Sequence, residues 1–404
     1  MLTQWFHPEP FFKGLPFARA LQGRGHQVQV LTGFPNYPGG AIYPGYRVRG
    51  HQVEDVDGVI VHRVPLYPSH DTGAIGRVAN YVSFALAAAC IGPFVIERPD
   101  LIYVYHPPAT VGLPAMVLSK RFGCPYVYDV QDLWPDTLRA TGMVNSRVLL
   151  GLVGRWCRLV YAAASRVVVL SPGFKRRIVA RGVSADQVEV IPNWAEEFGE
   201  PAGPAANPSA ERARLFEVLF AGNLGKVQQL DTILAAADRL RVSRPQVRFR
   251  LMGDGIERAR LEASARSQHL DNVVFVPRGT PAEAARAMAD ADALLVHLQR
   301  DELFEITIPS KTQAYLQAGR PILMGVEGDA ADLVMRAGAG LCFSPEDPES
   351  LAAAVTTLTS LTMGEREAMG QRGRDFYRRE LALSVATDRF DALFHDLVEA
   401  RLSR

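Results

Sequence analysis

Tyr126-Val127-Tyr128-Asp129-Val130 runs straight into Gln131-Asp132-Leu133-Trp134-Pro135-Asp136. The first five residues read as a short buried strand, and the polar and aromatic residues after them as a loop. Upstream, residues 101–105 run into His106-Pro107-Pro108 in the same way. Further strands are expected at 2–5, 28–32, 59–64, 167–170 and 188–191, with helices between them at 15–22, 76–89 and 147–163. Alternation of this kind implies parallel sheets with helices on both faces, an α/β class.

A chain of 404 residues is too long for one ordinary core, so two domains are expected. The pattern stops at Pro192-Asn193-Trp194, and 196–210 is rich in Pro, Ala and Gly with no apolar period. It restarts with strands at 218–221, 247–252, 273–276, 294–298 and 322–326 and a helix at 230–240. The expected division is 1–195, a linker at 196–212, a second domain at 213–380 and a final helix within 381–404. That helix carries Phe390, Leu393, Phe394, Leu397 and Leu402 near helical spacing. The first strand is short before Pro8-Glu9-Pro10, so either it is truncated or the true start lies upstream.

Composition excludes several classes. The formal charge is +1 with no Lys/Arg run, which argues against nucleic acid. Cys90, Cys124, Cys157 and Cys342 are far apart, unlike a zinc site or a disulfide framework, and fit a reducing cytoplasm. The N-terminus has no basic and apolar leader pattern. Residues 78–96 carry no charge, a length that suggests a membrane span. Asn80, Ser83 and a helix-breaking Gly92-Pro93 favour a buried helix of an α/β layer instead; embedded and interfacial segments are the alternatives.

Ligands of doubly wound sheets bind at the carboxyl ends of strands. Lys13 and Gly14 open the helix after the first strand, where backbone N–H groups suit an anion, although a plain helix-entry turn has the same look. His106, held by two prolines, is placed to touch a substrate. Asp132 and Trp134 stand at the same sheet edge and could hold a sugar between a ring face and a carboxylate; a hydrophobic plug and a helix cap are the plainer readings. In the second domain, Gly222-Asn223-Leu224-Gly225-Lys226 and Gly253-Asp254-Gly255 each follow a strand. Ser310-Lys311 begin a helix. Two such cradles suggest a nucleoside diphosphate, while either lysine alone reads as a surface charge. Asp290-Ala291-Asp292 spells a metal-binding D-x-D but ends a helix and opens a strand. Asp55-Val56-Asp57 reads as a turn.

Together the segments resemble family 4 glycosyltransferases of the GT-B fold over essentially the whole chain. The segments are Trp5–Pro10, Leu31–Pro38, Asp129–Pro135, Gly222–Lys226, Gly253–Gly255 and Ile308–Lys311. Most similar is the bacterial surface-polysaccharide subgroup that includes L-fucosamine transferases of O-antigen and capsule assembly. The resemblance implies two Rossmann-like domains with a cleft between them and a final helix crossing back to the first. It implies retaining transfer from a nucleotide-sugar, UDP-linked and carrying an N-acetylated or deoxy sugar, with no metal and no other cofactor. His106 and Asp132 are then the catalytic candidates. Gly14, Gly222, Asn223, Lys226, Gly253, Arg278, Glu305, Ser310 and Lys311 would bind the donor. Asn36, Tyr37 and Trp134 would meet the acceptor. One departure stands out: of two glutamates usual in the family, the second position is Ala314 and the first is Ile306, with Glu305 adjacent.

The resemblance implies a polyprenyl-diphosphate-linked saccharide acceptor and a cytoplasmic protein peripheral on the inner membrane. Residues 147–158 and Lys175-Arg176-Arg177 mix basic and apolar side chains as a lipid-facing surface would, or as a helix packed on its own sheet would. A UDP-sugar epimerase of the same fold and a non-catalytic sugar-nucleotide-binding scaffold are the rival readings.

Overall fold

The computed structural model describes residues 1–69, 74–196 and 215–403, so the linker expected at 196–212 lies, but for Glu196, outside the described residues. The chain forms two compact units, Met1–Pro192 with Ala386–Arg404, and Asn193–Val385.

The first unit contains α1 (Leu15–Gln22), β1 (Gln29–Gly33), β2 (Gln52–Val56), β3 (Val59–Val64), α2 (Ala74–Val95), β4 (Ile102–His106), α3 (Gly112–Phe122), β5 (Tyr126–Val130), α4 (Asp136–Ala140), α5 (Arg147–Ala163), β6 (Arg166–Val169), α6 (Pro172–Val179) and β7 (Val188–Val190). Two ladders, β1-β3-β2 and β4-β5-β6-β7, are joined by the N-terminal segment. Leu2 bridges Leu31 on one side and Val104 on the other. Backbone bonds continue past it: Leu2 donates to Tyr103 O at 2.8 Å, Tyr105 to Leu2 O at 3.0 Å, and Leu31 to Met1 O at 2.8 Å. The first strand is therefore central yet very short, because Trp5 onward turns away toward Pro8.

Two expectations need correction here. Asp55 and Val56, expected in a turn with Asp57, instead end β2, and Gln52–Val56 pairs antiparallel with β3. The turn is real and lies at Asp57 and Gly58, both at positive φ. α2 does not break at Gly92-Pro93 but continues to Val95. Pro93 sits in the last turn, so only two helical residues follow the backbone bond that it removes. Gly92 is there for space, since a Cβ would stand 2.8 Å from Leu31 Cδ2. Nor is α2 buried all round. Asn80, Phe84, Ala85, Ala88 and Gly92 face inward, while Ile75, Val78, Val82, Leu86 and Phe94 are exposed.

The second unit contains β8 (Phe216–Ala221), α7 (Asp231–Ser243), β9 (Val247–Met252), α8 (Arg258–Ser267), β10 (Val273–Val276), α9 (Pro281–Asp290), β11 (Ala293–His297), α10 (Glu302–Glu305), α11 (Ser310–Ala318), β12 (Ile322–Gly325), α12 (Asp329–Ala337), β13 (Gly340–Cys342), α13 (Pro348–Ser360) and α14 (Met363–Glu380). Its six strands run in the order β10-β9-β8-β11-β12-β13, every pair parallel. The chain works outward from β8, returns, and works outward the other way from β11, which makes a switch point between these two. The central strands feed apolar side chains to both sides. Val218, Phe220, Phe249 and Leu251 enter one core, and Leu219, Met252, Leu294 and Val296 enter the other. β13, too short to have shown in the sequence, closes the edge.

α15 (Leu383–Leu402) ends the chain. Phe390, Phe394 and Leu397 are buried, and Phe390 packs edge-on against Phe17 and Tyr103 of the first unit. Leu402, counted with them in the sequence, is exposed.

Candidate functional site

In the second unit, three of the residues singled out in the sequence, Gly222, Gly253 and Lys311, lie together by the switch point. Gly222 follows β8 and Gly253 follows β9, at φ 146° and 150°, which an L side chain rarely adopts. A Cβ on Gly253 would stand 1.8 Å from Gly222 O. The two glycine turns are stitched by backbone bonds, Gly222 N to Met252 O at 2.9 Å and Leu224 N to Asp254 O at 2.8 Å. The Gly222 N–H is thus spent internally, and this glycine contributes room rather than a donor.

Lys311 fills part of that room. Its Nζ lies 3.6 Å over the Phe220 ring and 3.1 Å from where a Cβ on Gly222 would be. The ammonium is buried and has no hydrogen-bond partner. Burial pulls its pKa from 10.5 to about 7. α11 starts at Ser310, so Lys311 stands in the first turn, at the positive end of the helix. Thr312 Oγ1 in the same turn is also buried and unpartnered. Tyr315 accepts Ala221 N at 2.9 Å and fixes α11 to the end of β8. An unpaired cation, one unpartnered hydroxyl and a helix N-terminus together describe a place for an anion.

The other expected donor residues are more dispersed. Asn223 and Lys226 are exposed, and Lys226 lines a cavity of about 180 Å³ with Asp231, Glu257 and Arg260. Arg278 is exposed between β10 and α9, and Glu305 is exposed at the end of α10. Asp292 of the D-x-D accepts Glu217 N at 2.9 Å, a strand-capping role.

In the first unit the equivalent switch point lies between the N-terminal segment and β4. His106 ends β4, fully buried, with neither ring nitrogen hydrogen-bonded. Burial lowers its pKa to about 3, so it is neutral at physiological pH. Trp134 stands edge-on to it at 5.6 Å. Arg181 holds the Trp134 loop, donating to Trp134 O at 2.9 Å and pairing with Asp136. Burial raises the pKa of Asp132. Tyr37 packs on Trp5 at 4.9 Å, and Trp5 meets Tyr81 edge-on.

Two residues differ from their sequence reading. Lys13 does not offer itself to an anion: it is fully buried and pairs with Asp129 at 2.6 Å. Tyr103 OH donates to that carboxylate at 2.5 Å and Gln131 at 2.6 Å. The strand that ends beside it supplies the countercharge, which leaves Gly14 as a buried N-cap of α1 with a rigid lysine behind it. Asn36 is 1% exposed and faces inward, accepting from Asn80 and donating to Phe34 O. It supports the Tyr37 loop from beneath.

Glu9 had no assigned role. It is buried and accepts backbone N–H groups from Phe6, Asn36 and Tyr37 at 3.1, 2.8 and 2.7 Å, which ties the two aromatic loops together. Desolvation raises its pKa to about 7, against the pull of those bonds and of Arg63. The available signal was a lone carboxylate between two prolines in an aromatic stretch.

A glycosyl transferase 4-like domain matches residues 15–194, and a glycosyl transferases group 1 domain matches 206–376. An Escherichia coli K12 protein named as a colanic acid biosynthesis glycosyl transferase, WcaI, is 26% identical over 83% of this chain and 84% of its own. A GDP-mannose-dependent alpha-mannosyltransferase of Mycobacterium tuberculosis is 26% identical over 80% of this chain and 76% of its own. Among solved structures, sucrose-phosphate synthase from Thermosynechococcus elongatus superposes with a TM-score of 0.69 at 18% identity, covering 95% of this chain and 92% of that one. Anabaena HepE in complex with UDP and glucose gives 0.66 at 15% identity, covering 98% and 99%. These structures share the GT-B fold. With both halves matched in order, the chain belongs to the family 4 glycosyltransferases.

Proposed function

We propose that this glycosyltransferase moves a sugar, with retention at the anomeric carbon and without a metal ion, from a UDP-linked donor to a lipid-linked saccharide in bacterial surface-polysaccharide assembly. The observation that carries the donor assignment is the buried, unpaired Lys311 beside Gly222 at the switch point. As the bond from the anomeric carbon to the diphosphate oxygen breaks, negative charge grows on the leaving group. A preorganised ammonium and helix N-terminus stabilise that charge most in the transition state. His106, neutral and unpartnered, exchanges hydrogen bonds with a sugar hydroxyl and is no proton source at neutral pH. Asp132 orients a second hydroxyl, and Trp134 and Tyr37 offer ring faces. Gly14, Asn223, Lys226, Arg278, Glu305 and Ser310 are proposed as further donor contacts.

For the lipid-linked acceptor, support comes from the outer surface of the first unit. α2 exposes Ile75, Val78, Val82, Leu86 and Phe94 along one stripe, and α5 exposes Val148, Leu149, Leu152 and Leu159 among Arg147, Arg155 and Arg158. Both helices bond the same short turn, through Thr110 to Tyr81 O and Trp156 to Ala109 O. Apolar stripes mixed with arginines suit an anionic lipid surface, consistent with a peripheral protein on the cytoplasmic face. The related protein named for colanic acid biosynthesis supports the polysaccharide context. The test is to incubate the purified protein with UDP-, GDP- and dTDP-sugars, with and without membrane lipid extract, and to measure nucleoside diphosphate. Lipid-dependent release from a UDP-sugar is expected. Conversion of a donor to its epimer without release would replace transfer by epimerisation, and donor binding without turnover would leave a scaffold.

A further inference from the structure

Another cluster of potential ligands lies on the first unit, where α15 packs against the loop after α1. His26, in the loop after α1, brings Nε2 within 2.6 Å of Asp391 Oδ1. His395, one turn beyond Asp391, brings its own Nε2 within 3.3 Å of the same oxygen. The three ligand atoms all lie within 4.8 Å of one another. Phe394 stands edge-on to His26 and holds its ring in place.

We propose that His26, Asp391 and His395 bind one divalent transition-metal ion of the zinc class, which fastens α15 to the first unit. Two imidazoles and one carboxylate suit zinc, cobalt or nickel, whereas magnesium and calcium want oxygen donors. Metal–ligand bonds of about 2.0–2.2 Å set ligand atoms roughly 3.3 Å apart in a tetrahedron. The His395–Asp391 separation already matches, and the His26–Asp391 pair opens by a small side-chain rotation. Asp391 and His395 share a helix face at i,i+4, so only His26 comes from another element. Water completes the shell, because His395 is exposed. The neighbouring charges are Arg24 and Asp388, which pair with each other at 2.5 Å and leave the three ligands to the ion.

The test uses untagged, chelator-stripped full-length protein. Zinc is titrated by calorimetry at neutral pH, and cobalt by its visible absorption. One ion per chain is expected, with a raised melting temperature, no response to magnesium, and weakening by about tenfold or more in His26→Gln and in His395→Ala. His395 is exposed, so its loss spares the fold, and Asp388→Asn serves as a control that keeps full binding. Absence of zinc binding by the folded protein, or binding unchanged in both histidine variants, overturns the proposal.

Discussion

The two units treat their buried lysines in opposite ways. Lys13 in the first is fully buried and tied to Asp129, Tyr103 OH sharing the same carboxylate. Lys311 in the second has an equally buried ammonium with no hydrogen-bond partner. Both stand by the first turn of a helix at a sheet's switch point. A buried charge with a partner is scaffold; one without a partner carries a desolvation cost that a ligand can relieve. The difference separates the residue that shapes a site from the one that waits in it.

The largest expected effect tests that distinction directly. Lys13→Met leaves the Asp129 carboxylate buried with no cation, and should cost about 3–5 kcal/mol of stability in a denaturant melt of the first unit. Lys311→Met removes a lone buried cation, so stability should hold or rise. Transfer should nevertheless fall by roughly 10²–10³ in kcat, as when a preorganised transition-state donor is deleted. If the two substitutions gave the same stability loss, the contrast would be wrong. His106→Ala, at the other unpartnered group, should also lower kcat by at least an order of magnitude while the protein stays folded.

Titration sharpens the same comparison. The folded pKa of Lys311, about 7, lies below its unfolded value of 10.5. The unfolded chain therefore binds more protons between pH 7 and 10.5, and stability should rise across that window. A bound diphosphate restores the ammonium, so donor binding should take up a proton and weaken by roughly tenfold per pH unit above 7. Calorimetry in buffers of different ionisation enthalpy measures the uptake. Lys311→Met should abolish both slopes.

The sequence could not tell these lysines apart. Each precedes or opens a helix, and the partner that decides the matter, Asp129, is 116 residues from Lys13. Strands were legible as runs of β-branched and apolar residues, unbroken or alternating, between turn residues: the bounds 59–64, 126–130, 247–252 and 273–276 agree with the structure to the residue. β2 was not, because Gln52-Val53-Glu54-Asp55-Val56 is a half-exposed edge whose charges resemble a turn. His106 showed through its prolines, and the glycine turns through their spacing. Glu9 stayed hidden because its partners are backbone N–H groups from another loop. Glu9→Gln should turn an amide NH2 toward one of those donors, costing about 1–3 kcal/mol and loosening the Tyr37 loop, which proteolysis or hydrogen exchange would detect.

The smallest effect on the fold is expected at Leu86 of α2, and it tests the lipid reading. Phe84 and Leu86 are two residues apart on one helix, the first at 0% exposure and the second at 51%. Phe84→Ala empties core volume and should cost about 3–5 kcal/mol. Leu86→Ser removes a half-exposed side chain and should cost no more than about 1 kcal/mol. If the exposed stripe rests on lipid, Leu86→Ser paired with Val82→Ser should weaken binding to anionic vesicles while donor binding at Lys311 is untouched. Equal vesicle binding by the variant and the parent would remove α2 from the acceptor side and leave the arginine-bearing face of α5 to meet the lipid.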